Sequence, residues 1–331
     1  MLARLFVLLP FQIAVQEGEQ FPVFEYEDSG YKIRFYPPVK SEKAPLGTDV
    51  EKLKIDGVSA FQADALRIDF CREDFDRRIE TLSDPPQPII VRAINLFLVR
   101  LRHVARAAQV RPSNFQLGTY RVQYLNDDAT ELEKKEGLVR GRGVIHFSVS
   151  WIALTKNVWN DIFSLPPDYE PPPWETLLFD ASAELPSIGP AVVLAATALE
   201  VFISKILDQL AVLKNTPPDF WKWVSQRGGY RLREPTVEEQ YDILLKFFTG
   251  HSLKEETKLW ESFVNLKDAR NSFVHEGVST VGKVPVNAEV AQKLIGSVPE
   301  VIAKIREWLP KELHWPEFKH VVKVEVVKKL L

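Results

Sequence analysis

The sequence predicts an α+β domain over residues 1–165, an all-α bundle over 174–312, and one closing strand within 313–331. Three observations predict this. Before residue 165, apolar and polar residues alternate in several places with the period of a strand. The run Leu165-Pro-Pro-Asp-Tyr-Glu-Pro-Pro-Pro173 then interrupts the chain, and proline at that density favours extended polyproline II and continues neither strand nor helix. After it, apolar residues recur at helical spacing in long segments that open on capping residues.

Taken in order, the first segment is apolar from Leu5 to Leu9 and is then broken by Pro10. That core is short for a signal peptide and no small-x-small cleavage site follows, so a buried strand is expected. Phe24 and Tyr26, then Tyr31, Ile33 and Phe35, alternate with polar residues around Glu27-Asp28-Ser29-Gly30, a hairpin pattern closed by Pro37-Pro38. Leu66, Ile68 and Phe70 form a further strand pattern. Asp84-Pro-Pro-Gln-Pro88 opens a helix expected over 89–110, whose Arg92, Arg100, Arg102, Arg106 and Arg111 read as a solvated face. Strands are expected around Tyr120-Val122-Tyr124 and Ile145-Phe147-Val149-Trp151, then a short helix over 156–163.

In the second half, helices are expected over 174–184, 188–213, 220–226, 236–248, 252–276 and 287–309. The segment 188–213 is almost wholly apolar apart from a polar line of Thr197, Glu200, Ser204 and Asp208, which suits the central helix of a bundle. Gly228-Gly229 stops the fourth-from-last of these segments. Thr236 with Glu239, and Ser252 with Glu255, have capping-box spacing. Val322, Val324 and Val326 alternate with Lys323 and Glu325; a lone strand has to pair, so it is expected to join the sheet of the first domain or a partner chain.

Composition excludes several classes. Net charge is −3 with a pI near 6.1, so nucleic-acid binding would need a local basic patch. A single cysteine, Cys71, excludes an internal disulfide and a cysteine-rich zinc site and points to a reducing, cytoplasmic setting. His103, His146, His251, His314 and His320 are too scattered to suggest a metal site, and no metalloprotease, P-loop or nucleophile-elbow motif occurs. No cofactor or metal is expected. No run of 18 apolar residues is read in the sequence, so no membrane-spanning helix is expected.

The stretch with most chemistry is Asp268-Ala269-Arg270-Asn271-Ser272-Phe273-Val274-His275-Glu276-Gly277. On a helical wheel of about 100° per residue, Leu259, Phe263, Leu266 and Phe273 form one apolar stripe with Arg270 in its middle. Asn271 and His275, four apart, fall on its flank beside Trp260 and Val264. A guanidinium keeps its proton, so burying it requires an anion or several acceptors. Arg270 is thus half of an ion pair, to Glu200 or Asp268, or one wall of an anion site. Gly277 is placed as a helix-ending C′ residue.

This Arg-Asn-x-x-x-His string at the end of a bundle helix resembles the signature of HEPN domains (higher eukaryotes and prokaryotes nucleotide-binding), in which a polar residue usually follows the arginine and the histidine stands after four to six intervening positions; here four lie between Arg270 and His275. The Ala-Leu-Glu around Glu200 is similar to the first long helix of that family, where an acidic or polar residue faces the motif helix. The resemblance covers the helical half; nothing in residues 1–165 carries one. It implies a metal-independent endoribonuclease leaving 2′,3′-cyclic phosphate ends. Arg270 would hold the scissile phosphate, Asn271 would bind phosphate or orient the histidine, His275 would move protons, and Glu200 would support them. It also implies RNA as substrate, a homodimer through the motif helix that supplies a second histidine, and a defence or toxin–antitoxin setting with a regulatory protein partner and no membrane. Two other functions fit the same residues: a non-catalytic dimerisation or interaction module, and a nucleotide-binding regulator.

Overall fold

A computed structural model describes residues 2–40, 50–72, 85–111, 120–125, 137–138, 151–226, 233–318, 320 and 323–328. The chain is a sheet-rich N-terminal region followed by a mostly helical one, and it divides into two compact units. One comprises Met1–Glu170 with Phe318–Leu331; the other is Pro171–Glu317.

The sheet unit begins with β1 (Leu2–Gln16), a strand three times the length of an ordinary hairpin arm, so the opening segment is a strand as expected. It is followed by β2 (Phe24–Asp28), β3 (Tyr31–Tyr36), β4 (Val50–Ile55), β5 (Val58–Cys71) and helix α1 (Gln87–Val104). After these come β6 (Tyr120–Leu125), β7 (Gly137–Leu138), β8 (Trp151–Leu154) and α2 (Lys156–Ser164). β5 runs antiparallel to β1 along nearly its whole length, and the register shifts between Leu8 and Ile13 around Pro10, a residue that cannot donate to the ladder. Because β1 and β5 are long, each takes two further partners: β3 and β4 on β5, β6 and parallel β8 on β1. Alternation does the rest. Ala3, Leu5 and Val7 of β1, Ile33 and Phe35 of β3, and Ile68 and Phe70 of β5 face a core shared with Ile94, Phe97 and Leu101 of α1 and Trp159 of α2.

Two expectations change here, and a third concerns residues outside those described. The strand pattern at 66–70 is the end of a fourteen-residue strand whose start makes a hairpin with β4 across Asp56-Gly57, both in the left-handed region (φ 48° and 82°). The arginines in and just after α1 are only in part a solvated face: Arg92 and Arg111 are exposed, but the two near the helix end are not. Arg100 and Arg102 are buried, with Arg100 donating to the carbonyls of Ile162, Pro166 and Pro167, while Arg92 forks onto Asp28. The strand expected at Ile145-Phe147-Val149 lies outside the described residues, as do His146 and Gly228-Gly229; only Trp151, in β8, is described.

The helical unit runs α3 (Pro173–Glu184), α4 (Ile188–Leu213), α5 (Pro218–Ser225), α6 (Val237–Glu239), a π turn (Gln240–Leu244), α7 (Leu245–Thr249), α8 (Thr257–Glu276), the small hairpin β9 (Thr280–Val281) and β10 (Val284–Pro285), and α9 (Ala288–Trp308). α4 is the apolar centre: Ala195, Leu199, Phe202, Ile206 and Leu210 are buried against Tyr241, Phe263, Leu266 and Ile302. By length and composition α4 is apolar enough to cross a membrane, although polar residues interrupt it and no 18-residue run is apolar throughout; 56% of its most apolar window is buried. Thr236 and Glu239 form the expected capping box. Ser252 does not start the motif helix: its hydroxyl accepts from the Lys254 amide in a separate 3₁₀ turn, and α8 begins five residues later at Thr257. The last strand, β11 (Val324–Lys328), pairs antiparallel with β4, so the tail joins the sheet of the first domain.

Candidate functional site

α8 positions the motif. Phe263, Leu266 and Ala269 are its buried residues, and Leu259, Trp260 and Val264 pack on the same core at its margin. Its last turn ends on Gly277, left-handed at φ 76°, whose amide donates to the Phe273 carbonyl. The Phe273 ring lies on Gly189 at the start of α4, so close that a Cβ there would stand 2.0 Å from the ring. The Ser272 hydroxyl accepts from the Thr280 amide at 2.7 Å and donates to the Ala269 carbonyl, which ties the β9–β10 hairpin to the last turns of the helix. The end of α8 is therefore held from two sides, by α4 and by the hairpin.

On that support Arg270 is half-buried, as its place in the apolar stripe predicts. Its Nη1 donates to Asn271 Oδ1 at 3.0 Å, and its buried Nε has no hydrogen-bond partner among the described residues. Neither acid proposed as its counter-ion pairs with it. Asp268 goes to Lys267 at 3.2 Å, and Lys267 also takes Glu238. Burial works against the Lys267 ammonium, but Glu238 and Asp268 hold its pKa above the ordinary lysine range. His275 and its neighbours Val274 and Glu276 are exposed.

Glu200 stands apart from this group. Its charge acts on Tyr241, whose hydroxyl donates to the Leu199 carbonyl at 2.8 Å and whose pKa is pushed up by burial and then by Glu200. Tyr241 packs on Phe263, at 4.7 Å between ring centroids, and Phe263 lies seven residues before Arg270, roughly 10 Å along the helix. The structure thus brings Arg270 and Asn271 into direct contact, leaves His275 free one turn on from Asn271, and joins no ion pair between Glu200 and Arg270. What the motif alone does not reveal is its support: Lys267 in line with Asn271 and His275 at helical spacing, Ser272 and Gly189. Lys267 was within reach of the four-residue spacing; Gly189 needed the packing of α4 on α8.

Among the described residues no three His, Cys, Asp or Glu side chains converge as a metal site would require. Comparison with family models, curated proteins and solved structures gives no match.

Proposed function

We propose that the helical unit is a HEPN-type module acting on RNA as a metal-independent endoribonuclease, in a cytoplasmic defence or toxin–antitoxin setting with a protein regulator. The observation that carries this is Arg270: a half-buried guanidinium with no acidic partner among the described residues, oriented by Asn271, on the same helix end as an open histidine. A planar fork of that kind suits a phosphodiester and the charge that develops on it. In the reaction a ribose 2′-oxygen loses its proton to an imidazole and bonds to phosphorus. The bond from phosphorus to the 5′-oxygen breaks, and that oxygen takes a proton from a second acid. The products are a 2′,3′-cyclic phosphate and a 5′-hydroxyl. One chain offers one histidine here, so the second proton donor comes from His275 of a second copy, in a homodimer about the end of α8.

The test is total RNA incubated with wild type and with His275→Ala, reading cyclic-phosphate ends. Loss of about 10² to 10⁴ in rate is expected for His275→Ala. A wild type that makes no such ends sinks the enzyme reading. Val274 and Val278, both more than half exposed beside His275, favour a second reading, a non-catalytic dimerisation module. That reading predicts a dimer in sedimentation without cleavage, whereas monomer alone at micromolar concentration counts against both.

A further inference from the structure

The outer face of the sheet, opposite α1, carries a group of cations drawn together by cross-strand ion pairs. In register across three neighbouring strands stand Arg34 of β3, Asp69 of β5 and Arg4 of β1; Arg67 of β5 lies one step along, opposite Tyr36 and Phe6. Adjacent strands lie about 4.8 Å apart, so these side chains form one patch. Asp69 is only 1% exposed although it points away from the hydrophobic core, because two guanidinium groups close over it. Arg4 gives it Nε and Nη2, both at 3.0 Å, and Arg67 gives Nε at 3.1 Å and Nη2 at 2.6 Å. Burial disfavours the Asp69 carboxylate, yet the hydrogen bonds from Arg67 and Arg4 hold its pKa below the ordinary range, so the cluster carries two positive charges on one hidden negative one.

Each guanidinium has five N–H donors and spends two on Asp69, which leaves three on each of Arg4 and Arg67 not committed to it, on side chains that are 18% and 28% exposed. Arg67 is further fixed by lying over the Tyr36 ring, 3.7 Å from its centroid. Arg34 and Lys32 extend the patch toward β2, where Glu25 holds both and Glu27 stands opposite Lys32. Four cations therefore face three carboxylates, and the one carboxylate in the middle is covered. A buried acid that locks two arginines side by side is how a site pre-arranges donors for a multidentate anion.

We propose that this face of the sheet, centred on Arg4, Arg67 and Arg34, binds the phosphodiester backbone of a single-stranded RNA. The patch is the recruiting surface for the strand that the helical unit acts on, and in naming that ligand it rests on the function proposed above. Contacts of this kind read phosphates rather than bases, so binding is sequence-tolerant and falls steeply with salt.

The test uses the full chain with His275→Ala as background, so that the labelled single-stranded RNA stays intact, and reads anisotropy over a salt series. Arg4→Gln/Arg67→Gln/Asp69→Asn removes the cluster without stranding a buried charge, and Lys32→Gln/Arg34→Gln removes the exposed pair. Each is expected to weaken binding about tenfold or more and to reduce the salt slope by about 1 to 2. Glu25→Gln is expected to tighten binding. Should the triple variant fail to fold, the double variant and Glu25→Gln decide. Binding unchanged in these variants, no RNA binding by the background protein, or equal competition by polyglutamate overturns the proposal. Cleavage is scored separately on a wild-type chain with and without the patch substitutions. Patch-dependent binding without cyclic-phosphate products leaves the patch standing and removes the ribonuclease reading; cleavage with patch-independent binding does the reverse.

Discussion

Arg270 and His103 show how burial gives a charged side chain its consequences. At Arg270 the guanidinium stays charged, so the half-buried site favours an anion beside it. Arg270→Gln keeps most of the stem packing and removes the charge. Because no acid in the described structure is stranded by the change, stability should fall by about 1 kcal/mol or less while RNA cleavage is lost. A melt that drops as far as a broken buried ion pair, roughly 3–5 kcal/mol, would show a counter-ion and return Arg270 to a structural role. His103 is the opposite case. Buried against the rings of Tyr169 and Phe318, it has its pKa pushed down to about 4 by desolvation, with Arg106 adding. An unfolded imidazole titrates near 6.5. Between those two values the unfolded chain binds a proton that the folded chain refuses, so stability rises with pH across the window and this contribution is complete above it. The sheet unit should lose at most about 3 kcal/mol from this group as pH falls from 6.5 to 4. In His103→Leu the fall over that window should shrink, and parallel wild-type and variant melting curves would refute it. Residue chemistry of this kind was legible at Arg270, whose place in the apolar stripe predicts its burial. It was not legible at Arg100 and Arg102, where charge suggested solvent and backbone carbonyls bind the side chain instead.

Elements were easiest to read where one face decides them. α4, α8 and α9 announce themselves because a stripe of apolar residues over more than five turns has only one place to go. Ends and hairpins were harder. Ser252 has the right spacing for the first residue of α8, yet its hydroxyl also donates to Asp242 at 2.6 Å, and that contact holds it in a separate turn. The β4–β5 hairpin is less marked: Asp56-Gly57 sits at its turn, but only Leu53 and Ile55, alternating with Lys52 and Lys54, show the apolar side of β4. The least legible feature is Gly189, since a glycine near a helix start looks like permissiveness and here is a packing requirement. Gly189→Ala puts a methyl group 2.0 Å from the Phe273 ring, which must swing out of its place at the end of α8. Overpacking of this sort costs about 1–3 kcal/mol. The helical unit of Gly189→Ala should therefore melt lower, with cleavage reduced because the same turn carries His275. Adding Phe273→Ala should recover the part of the loss caused by the clash. A Gly189→Ala protein as stable as wild type would place the ring elsewhere.

For the molecule, the main fact is that the helical unit is an insertion: its residues run without a break from Pro171 to Glu317, whereas the sheet unit is completed only by the tail that follows. The first division, between Glu170 and Pro171, falls inside the proline block of residues 165–173. The second was less visible, because nothing between the last helix and β11 has that density of proline. Trp174 and Trp315 meet edge to face at 5.2 Å, so the two ends of the inserted unit lie together within it. Among the described residues the tail is anchored on the sheet unit at several points, including the Lys323 amide, which donates to Asp56 Oδ1 at 2.8 Å. Phe318 packs on His103, His320 meets Asp161 at 2.7 Å, and β11 lies along β4, where Val324 and Val326 pack on the small cluster of Leu53 and Ile55. Truncation after Glu317 removes these anchors and bares the edge of β4, leaving unpaired ladder groups and part of a core open to water. Neither end of the helical unit is touched. The truncated chain should therefore lose stability in the sheet unit alone: a calorimetric scan should show that transition move down while the transition of residues 171–317 stays where it was. It should also associate more readily than the full chain through the exposed β4 edge. Should both transitions fall together, the tail would be supporting the helices as well, and the division into two separately stable units would be wrong.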